Sequence, residues 1–278
     1  MPTHIHVLNY DLEPCPNQYN NTISAKKRRG QVETCDKGNN TTFEFTFQQP
    51  ALSAEVEMMS GSPRTPQTLV FYDSEGTDLP APTNIPKFTE ICFLAVSRKD
   101  LLQLHGTPRV LNKISLCFNP EKPINPSATE VSGLTNAALQ HSPTFQEQVP
   151  MLMHFLQHLP QPVLLVAHNG MRYDFPLLAR YLKDAGVKVT DLEDIMCADS
   201  VPAFQRMLSR CRLRLDEMYR RLFGGVAGKH TAEDDCQKLM EIVGRLDPER
   251  FVRLCQEQAQ PLNFYNRPSE FNVMFARR

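Results

Sequence analysis

Residues 68–80 read TLVFYDSEGTDLP, and this stretch decides how the rest of the chain is read. Leu69, Val70, Phe71 and Tyr72 form the apolar body of a buried strand that runs directly into Asp73, with Glu75 two positions on. Residues i and i+2 of a strand share a face, so the two acids project together. Two carboxylates at the end of a buried strand repel each other and lose hydration. No basic residue lies near them in sequence to offset this. A divalent cation with oxygen ligands removes the difficulty. D-x-E alone specifies little, so the reading depends on what the neighbouring segments add.

Two further strands follow. FTEICFLAVSR (88–98) is almost continuously apolar, as expected of a central strand covered on both faces. RVLNKISLCF (109–118) alternates, with Ile114, Leu116 and Phe118 on one face and Lys113 and Ser115 on the other. Three successive strands with short connections predict an antiparallel meander. Helical periods then take over. Phe145, Val149, Leu152, Leu156 and Leu159 make a stripe opened by a Thr144/Glu147 capping box, with Pro150 expected to kink the helix or delay its start. PVLLVAH (162–168) is another buried strand, and helices follow over 173–186, 215–225 and 231–246. Meander first and strand–helix alternation later predict an α/β fold, a mixed sheet of antiparallel and parallel strands flanked by helices.

Residues 1–65 differ. They are rich in Asn, Thr, Gln and Pro, and FEFTF (43–47) is their single strand-like segment, so a disordered extension ahead of a domain over 66–278 is expected. KKRR at 26–29 reads as a solvated charge run or a nuclear-localisation patch. The formal net charge of −1 advertises no global field for nucleic acid or membrane, which leaves room for a local basic rim. Six arginines between Arg206 and Arg221 form the densest basic run of the later chain. The eight cysteines show no C-x-x-C pair and read as reduced thiols, with Cys92 and Cys117 as small buried hydrophobes. MPTHIHVLNYDLEP lacks the apolar core of a secretory signal, and no apolar run approaches the roughly 18 residues that span a bilayer. No membrane association and a cytoplasmic or nuclear location are expected.

Two other stretches place acids at element ends. AHNGMRYDFPLL (167–178) leaves a buried strand, turns at Gly170 and enters a helix with Asp174 in its first turn, where an N-capping role is the simpler explanation. KHTAEDDCQKLM (229–240) sets His230 just before a helix and Asp235 in its first turns, with Thr231 as the N-cap. His230 lies between Lys229 and Thr231, which argues against a buried core histidine and leaves a surface one as the alternative. Together these acids would suit two metal ions about 3.5–4 Å apart, clamping the attacking and leaving oxygens of a phosphodiester. Histidine suits the general base, because its ordinary pKa lies near working pH.

D-x-E, then Y-D at a helix start, then H-x-x-x-x-D resembles the DEDD exonucleases with a catalytic histidine. PKFTEICFLAVSR, SATEVSGLT, LVAHNGMRYDFPLL and HTAEDD resemble more closely the three-prime repair exonuclease branch, over roughly residues 66–260. The resemblance implies a ribonuclease-H-like fold and Mg²⁺-dependent 3′→5′ removal of mononucleotides from single-stranded or frayed DNA 3′ ends, with two Mg²⁺ ions for which Mn²⁺ can substitute. It implies Asp73, Glu75, Asp174 and Asp235 as metal ligands and His230 as the base. It makes Gly76, Thr77, Leu79, Val131, His168, Asn169, Arg172 and Tyr173 substrate-binding, Leu79 and Val131 as apolar wedges against the terminal bases. It also implies a homodimer across a sheet edge. The chain departs from the family pattern with Gly76 where Ala is usual and Asp78 where Gly is usual, the latter an extra acid that would either repel phosphate or alter the fit of the terminal base. Two other readings stand beside this one: an exoribonuclease or proofreading exonuclease, and a catalytically weak nucleic-acid-binding adaptor.

Overall fold

The computed structural model describes residues 65–103, 106–208, 214–224 and 230–275. The predicted strand at 43–47, the KKRR run, Cys15, Cys35, Cys211, Arg210 and Arg212 lie outside them. In chain order the elements are β1 (Thr68–Gly76), β2 (Phe88–Ser97), α1 (Arg98–Gln103), β3 (Val110–Cys117), α2 (Pro126–Ser132), α3 (Asn136–Leu139), α4 (Phe145–His158), β4 (Val163–Ala167) and α5 (Asp174–Asp184). Then come β5 (Ile195–Asp199), α6 (Ser200–Met207), α7 (Leu215–Phe223), α8 (Ala232–Arg245), α9 (Pro248–Gln258), β6 (Gln260–Pro261) and α10 (Pro268–Asn272). Among the described residues no helix is long and apolar enough to cross a membrane.

The strands form one sheet in the order β3-β2-β1-β4-β5-β6. β1, β2 and β3 pair antiparallel, the predicted meander, although α1 interrupts the second connection. β4 joins β1 parallel, with Thr68 opposite Val163, and β5 joins β4 parallel. A mixed sheet flanked by helices is therefore the architecture, as the hydrophobic patterns predict. β1 and β4 are central strands, and the apolar runs at their hearts exist because both faces are covered.

Alternation along β1 divides the core. Val70 and Tyr72 enter a layer with Phe93, Leu165, Phe175 and Leu178, where Tyr72 stacks on Phe93 at 4.4 Å between centroids. Leu69 and Phe71 enter the opposite layer with Leu94, Val166, Leu239 and Phe251. Each such side chain, fully buried, contributes about 1.5–3 kcal/mol relative to exposure.

Two expectations meet local corrections. The Thr144/Glu147 capping box forms, with Thr144 Oγ1 accepting from the Glu147 amide at 3.4 Å and Glu147 Oε2 accepting from the Thr144 amide at 2.7 Å. α4 nevertheless starts at Phe145 and runs through Pro150, so its start is not delayed. Cys92 is buried as predicted, but Cys117 is exposed, because β3 is an edge strand with a largely uncovered face. Gly186, at φ 80°, takes the left-handed position after α5, and its amide donates to the Lys183 carbonyl.

Candidate active site

The alternation that sorts the core also aims the acids. Asp73 and Glu75 continue the Leu69/Phe71 face toward α8, whereas Ser74 continues the Val70/Tyr72 face toward α5. Asp235, in the first turn of α8, meets the first pair there, and carboxylate oxygens of Asp73, Glu75 and Asp235 lie within 4.8 Å of one another. On the other side Ser74 Oγ donates to Asp174 Oδ1 at 2.6 Å, tying the first residue of α5 to the end of β1. His230 stands just ahead of the N-cap Thr231, with Nδ1 3.4 Å from Asp235 Oδ2. The five residues predicted from motif spacing thus come from four segments to one end of the sheet. A second cavity, of about 340 Å³, opens at the opposite end beside Pro66, Pro162 and Met196 and holds none of them.

A cleft of about 390 Å³ lies over the acids and is bordered by Gly76, Leu79, Val131, His168, Asn169 and Tyr173. Leu79 is 69% exposed and Val131 50%, so both present apolar side chains to solvent at the cleft mouth. Arg172 lines the continuation of this cleft past His168 and Asn169, together with Arg214 and His230. Thr77 is the exception: it is fully buried, its Oγ1 accepting from the Lys87 amide at 3.0 Å, so its side chain does not face the cleft. Gly76 has a steric reason. A Cβ there would stand 2.0 Å from the Tyr173 hydroxyl, so the glycine is what lets Tyr173 lie against the strand end. Of the described arginines of the basic run, Arg206 and Arg221 pair with Glu257 and Glu217, while Arg214 lines the cleft continuation.

Asp78 turns out to organise the cleft mouth. Its Oδ1 accepts from the Leu79 amide at 2.7 Å and its Oδ2 from Asn84 Nδ2 at 2.9 Å. Asn84 in turn accepts from Lys122, which also donates to the Ile85 carbonyl at 3.0 Å. Asp78→Ala is therefore expected to loosen Leu79 and raise KM for the substrate that the resemblance implies, a single-stranded DNA end, by about 3- to 10-fold, the equivalent of one or two hydrogen bonds. Phosphate repulsion by Asp78 would give the opposite sign, a lower KM. Steady-state kinetics on one oligonucleotide separates the two.

Other supporting residues carry no motif and escaped the sequence reading. Asp199, at the end of β5, accepts from the amides of Asn169 (3.0 Å), Met171 (3.2 Å) and Val201 (2.8 Å), holding the turn that carries His168 to Arg172. His168 Nδ1 lies 2.8 Å from Ser200 Oγ. Glu90, on β2, sits directly opposite Glu75, and its Oε2 accepts from the Ala232 amide at 3.2 Å, at the start of α8. Lys238, one turn beyond Asp235, places Nζ 2.8 Å from both Asp235 Oδ1 and Asp216 Oδ1. The signal for these was proximity between segments far apart in sequence.

Burial drives the carboxyls upward. Asp73 is raised well above the usual range by desolvation, then by the charges of Asp174, Asp235 and Glu75. Glu75 is pushed up to about 8 by burial, then by Asp235 and Glu90. Asp174 rises to about 7 through burial, even though its hydrogen bond from Ser74 pulls the other way. Lys238 stays cationic: burial lowers its pKa, but Asp216 and Asp235 together raise it. Three clustered carboxyls, Asp73, Glu75 and Asp174, that resist ionisation within an all-oxygen donor set are what a hard divalent cation would relieve, so the residues fit such an ion.

Comparison with known proteins gives this geometry a context. The RNase T family model, described as exonuclease, matches residues 70–243. Three-prime repair exonuclease 1 of Bos taurus is 37% identical over 220 residues, 71% of this chain and 69% of that protein. The Homo sapiens protein of the same name is 36% identical over 218 residues, covering 70% and 68%. Three prime repair exonuclease 2 of Mus musculus is 34% identical over 223 residues, covering 73% of this chain and 92% of that protein. Among solved structures, a 3′-exonuclease described as recognising the histone mRNA stem-loop superimposes with a TM-score of 0.52 at 11% identity, over 66% of this chain and 82% of the other, a likeness of fold.

Proposed function

This chain belongs to the exonuclease family, in its three-prime repair branch, and is a 3′→5′ exonuclease; on that premise we propose that it removes mononucleotides from single-stranded or frayed DNA 3′ ends, with residues 66–278 as the catalytic domain. The observation that carries the site assignment is the convergence of Asp73, Glu75 and Asp235 within 4.8 Å, beside Asp174 and His230. Those four acids would hold two divalent cations, Mg²⁺ or Mn²⁺. Bound there, the ions would neutralise charge developing on the phosphodiester and make water a better nucleophile.

The rest is supplied by this chain's own residues. His230 faces two carboxylates, Nδ1 toward Asp235 and Nε2 toward Asp216. A neutral imidazole donates one N–H and keeps the other nitrogen free to accept the proton of the attacking water. The imidazolium so formed is flanked by two anions, which stabilise it. Leu79 and Val131 press on the terminal base, a contact that needs no sequence and favours an unpaired end. His168, Asn169, Arg172 and Tyr173 line the scissile end, with Arg172 as a phosphate partner. β3 is the exposed sheet edge, with Leu111 half exposed, and there a second copy would pair to give a homodimer.

The test uses purified chain on a 5′-labelled single-stranded DNA in Mg²⁺, with EDTA, Asp235→Ala and an equal-length RNA as the other arms. A ladder shortening from the 3′ end, abolished by EDTA and by the substitution and weaker on RNA, is the expected result. Faster degradation of RNA would turn the assignment to an exoribonuclease, and binding without cleavage would turn it to an adaptor.

A further inference from the structure

Two charged residues at this site lie outside the motif: Asp216, which faces the base, and Lys238, which has no part in the reaction just described. Asp216 lies at the start of α7, and Lys238 projects from α8 with its side chain only 10% exposed. They close a ring with the base and one proposed ligand. Lys238 Nζ is 2.8 Å from Asp216 Oδ1 and 2.8 Å from Asp235 Oδ1. Asp216 Oδ2 is 3.2 Å from His230 Nε2, and Asp235 Oδ2 is 3.4 Å from His230 Nδ1. Each nitrogen of His230 faces an aspartate oxygen, of which a neutral imidazole donates to one, and each aspartate turns its other oxygen to Lys238.

A simpler account makes this an ion pair that docks α7 on α8. Docking already has other means. Met218 is buried in the core layer that holds Leu239 and Val243, Leu215 and Leu222 pack against it, and the Tyr219 hydroxyl donates to Glu241 at 2.8 Å. A nearly buried lysine loses hydration, and an apolar residue of similar volume usually serves a helix interface as well or better. Nor does docking explain why the ammonium shares an oxygen of Asp235, the acid that approaches Asp73 and Glu75.

We propose that Asp216 and Lys238 are positioning residues of this active site: Asp216 fixes the imidazole plane of His230 through Nε2, while Lys238 holds Asp235 Oδ1 and, as a resident positive charge, lowers the affinity of the acid cluster for divalent cations. The proposal rests on the roles given above to His230 and Asp235. Its two halves predict different signatures. Partners that orient a group already in the site typically change activity or metal affinity by about 10–100-fold. Asp216→Ala should therefore lower kcat by about 10- to 100-fold with KM and cation affinity unchanged within about twofold. Removing a positive charge beside Asp235 strengthens the attraction for a dication, so Lys238→Met should bind Mn²⁺ about tenfold more tightly, and Lys238→Arg should restore the parent value.

The experiment titrates Mn²⁺ into the full chain and its variants by calorimetry, without substrate, and measures kcat and KM on single-stranded DNA in parallel. Melting temperatures in EDTA separate these effects from misfolding, and Lys238→Gln replaces Lys238→Met if that variant does not fold. Tighter Mn²⁺ binding by the lysine variant, together with a kcat-only defect at Asp216, is the expected result. Unchanged or weaker Mn²⁺ binding without Lys238 overturns its half, and an unchanged kcat, or kcat and KM falling off together with melting temperature, overturns that of Asp216. A parent chain that binds Mn²⁺ yet cleaves no DNA would count against the exonucleolytic roles, and the Mn²⁺ titrations would still decide the lysine.

Discussion

Asp73→Asn is expected to abolish nuclease activity, by about 10³-fold or more, while leaving the cation-free protein as stable as the parent or more so. The two effects share one cause. Asp73 closes an apolar strand, and burial together with Asp174, Asp235 and Glu75 makes its ionisation unfavourable in the folded chain. Asparagine keeps the shape and removes the charge. The folded state then no longer holds an unfavourable carboxylate, which is worth about 1–3 kcal/mol where the polar replacement finds a hydrogen-bond partner. The same change removes an anion at the meeting point of β1, α5 and α8, and several kcal/mol of transition-state stabilisation go with it. Active-site groups that oppose folding are a common source of such trade-offs. Single-stranded DNA cleavage in Mg²⁺ and thermal melts in EDTA check both halves. A variant keeping a tenth of parental activity would remove Asp73 from the machinery. One that is inactive and several kcal/mol less stable would make it a structural residue.

How much of this was legible in the sequence follows from the physics of each element. The central strands β1, β2 and β4 could be read because burial on both faces writes a continuous apolar run, and the capping box of α4 and the N-cap of α8 because their hydrogen bonds join residues three apart. β5 escaped. Beyond Ile195 its residues Met196, Cys197 and Ala198 have modest strand preference, and parallel pairing with β4 supplies what propensity does not. The five acid and histidine positions were legible as a motif because each sits at an element end. What held them was not. Ser74 reads as a spacer between two acids, yet it bonds Asp174 a hundred residues away in sequence. Lys238 reads as the polar face of an amphipathic helix, and only the approach of α7 makes it a bridge between two aspartates. Thr77 shows the converse error: a residue inside the motif points into the protein because its hydroxyl is needed by the Lys87 amide.

Without divalent cations the protein is expected to lose stability as pH rises from about 5 to 8.5, and added Mg²⁺ or Mn²⁺ should restore more of it at the alkaline end. Asp174 lies at about 7 and Glu75 at about 8 in the folded chain, against 3.8 and 4.5 for the free groups. Between those limits the folded state holds protons that the unfolded chain has released. Stability therefore falls with rising pH, by at most about 1.4 kcal/mol per pH unit for each group. Below the free-group values both states are protonated, and above about 8 both are ionised, so the contribution of these two groups levels off at either side. Relaxation and water entry reduce the sum, and about 2–4 kcal/mol over the window is a reasonable size. For a domain of this length that corresponds to a drop in melting temperature of about 5–15 °C. Asp216 does not blur the measurement, since Lys238 and His230 overcome its burial and hold its carboxyl below the usual range, which places its own stability change at more acid pH. An ion binding only the ionised cluster shifts the equilibrium back by mass action, so its stabilising effect must grow with pH across the same window. Melts at pH 5.5, 7 and 8.5, in EDTA and in millimolar Mg²⁺, measure both slopes. A flat or rising EDTA curve would mean that the acids are already compensated within the chain and are not arranged for a cation. A falling curve that Mg²⁺ levels, and that Glu75→Gln flattens in part, ties the repulsion opened by Asp73 and Glu75 to the ion that resolves it.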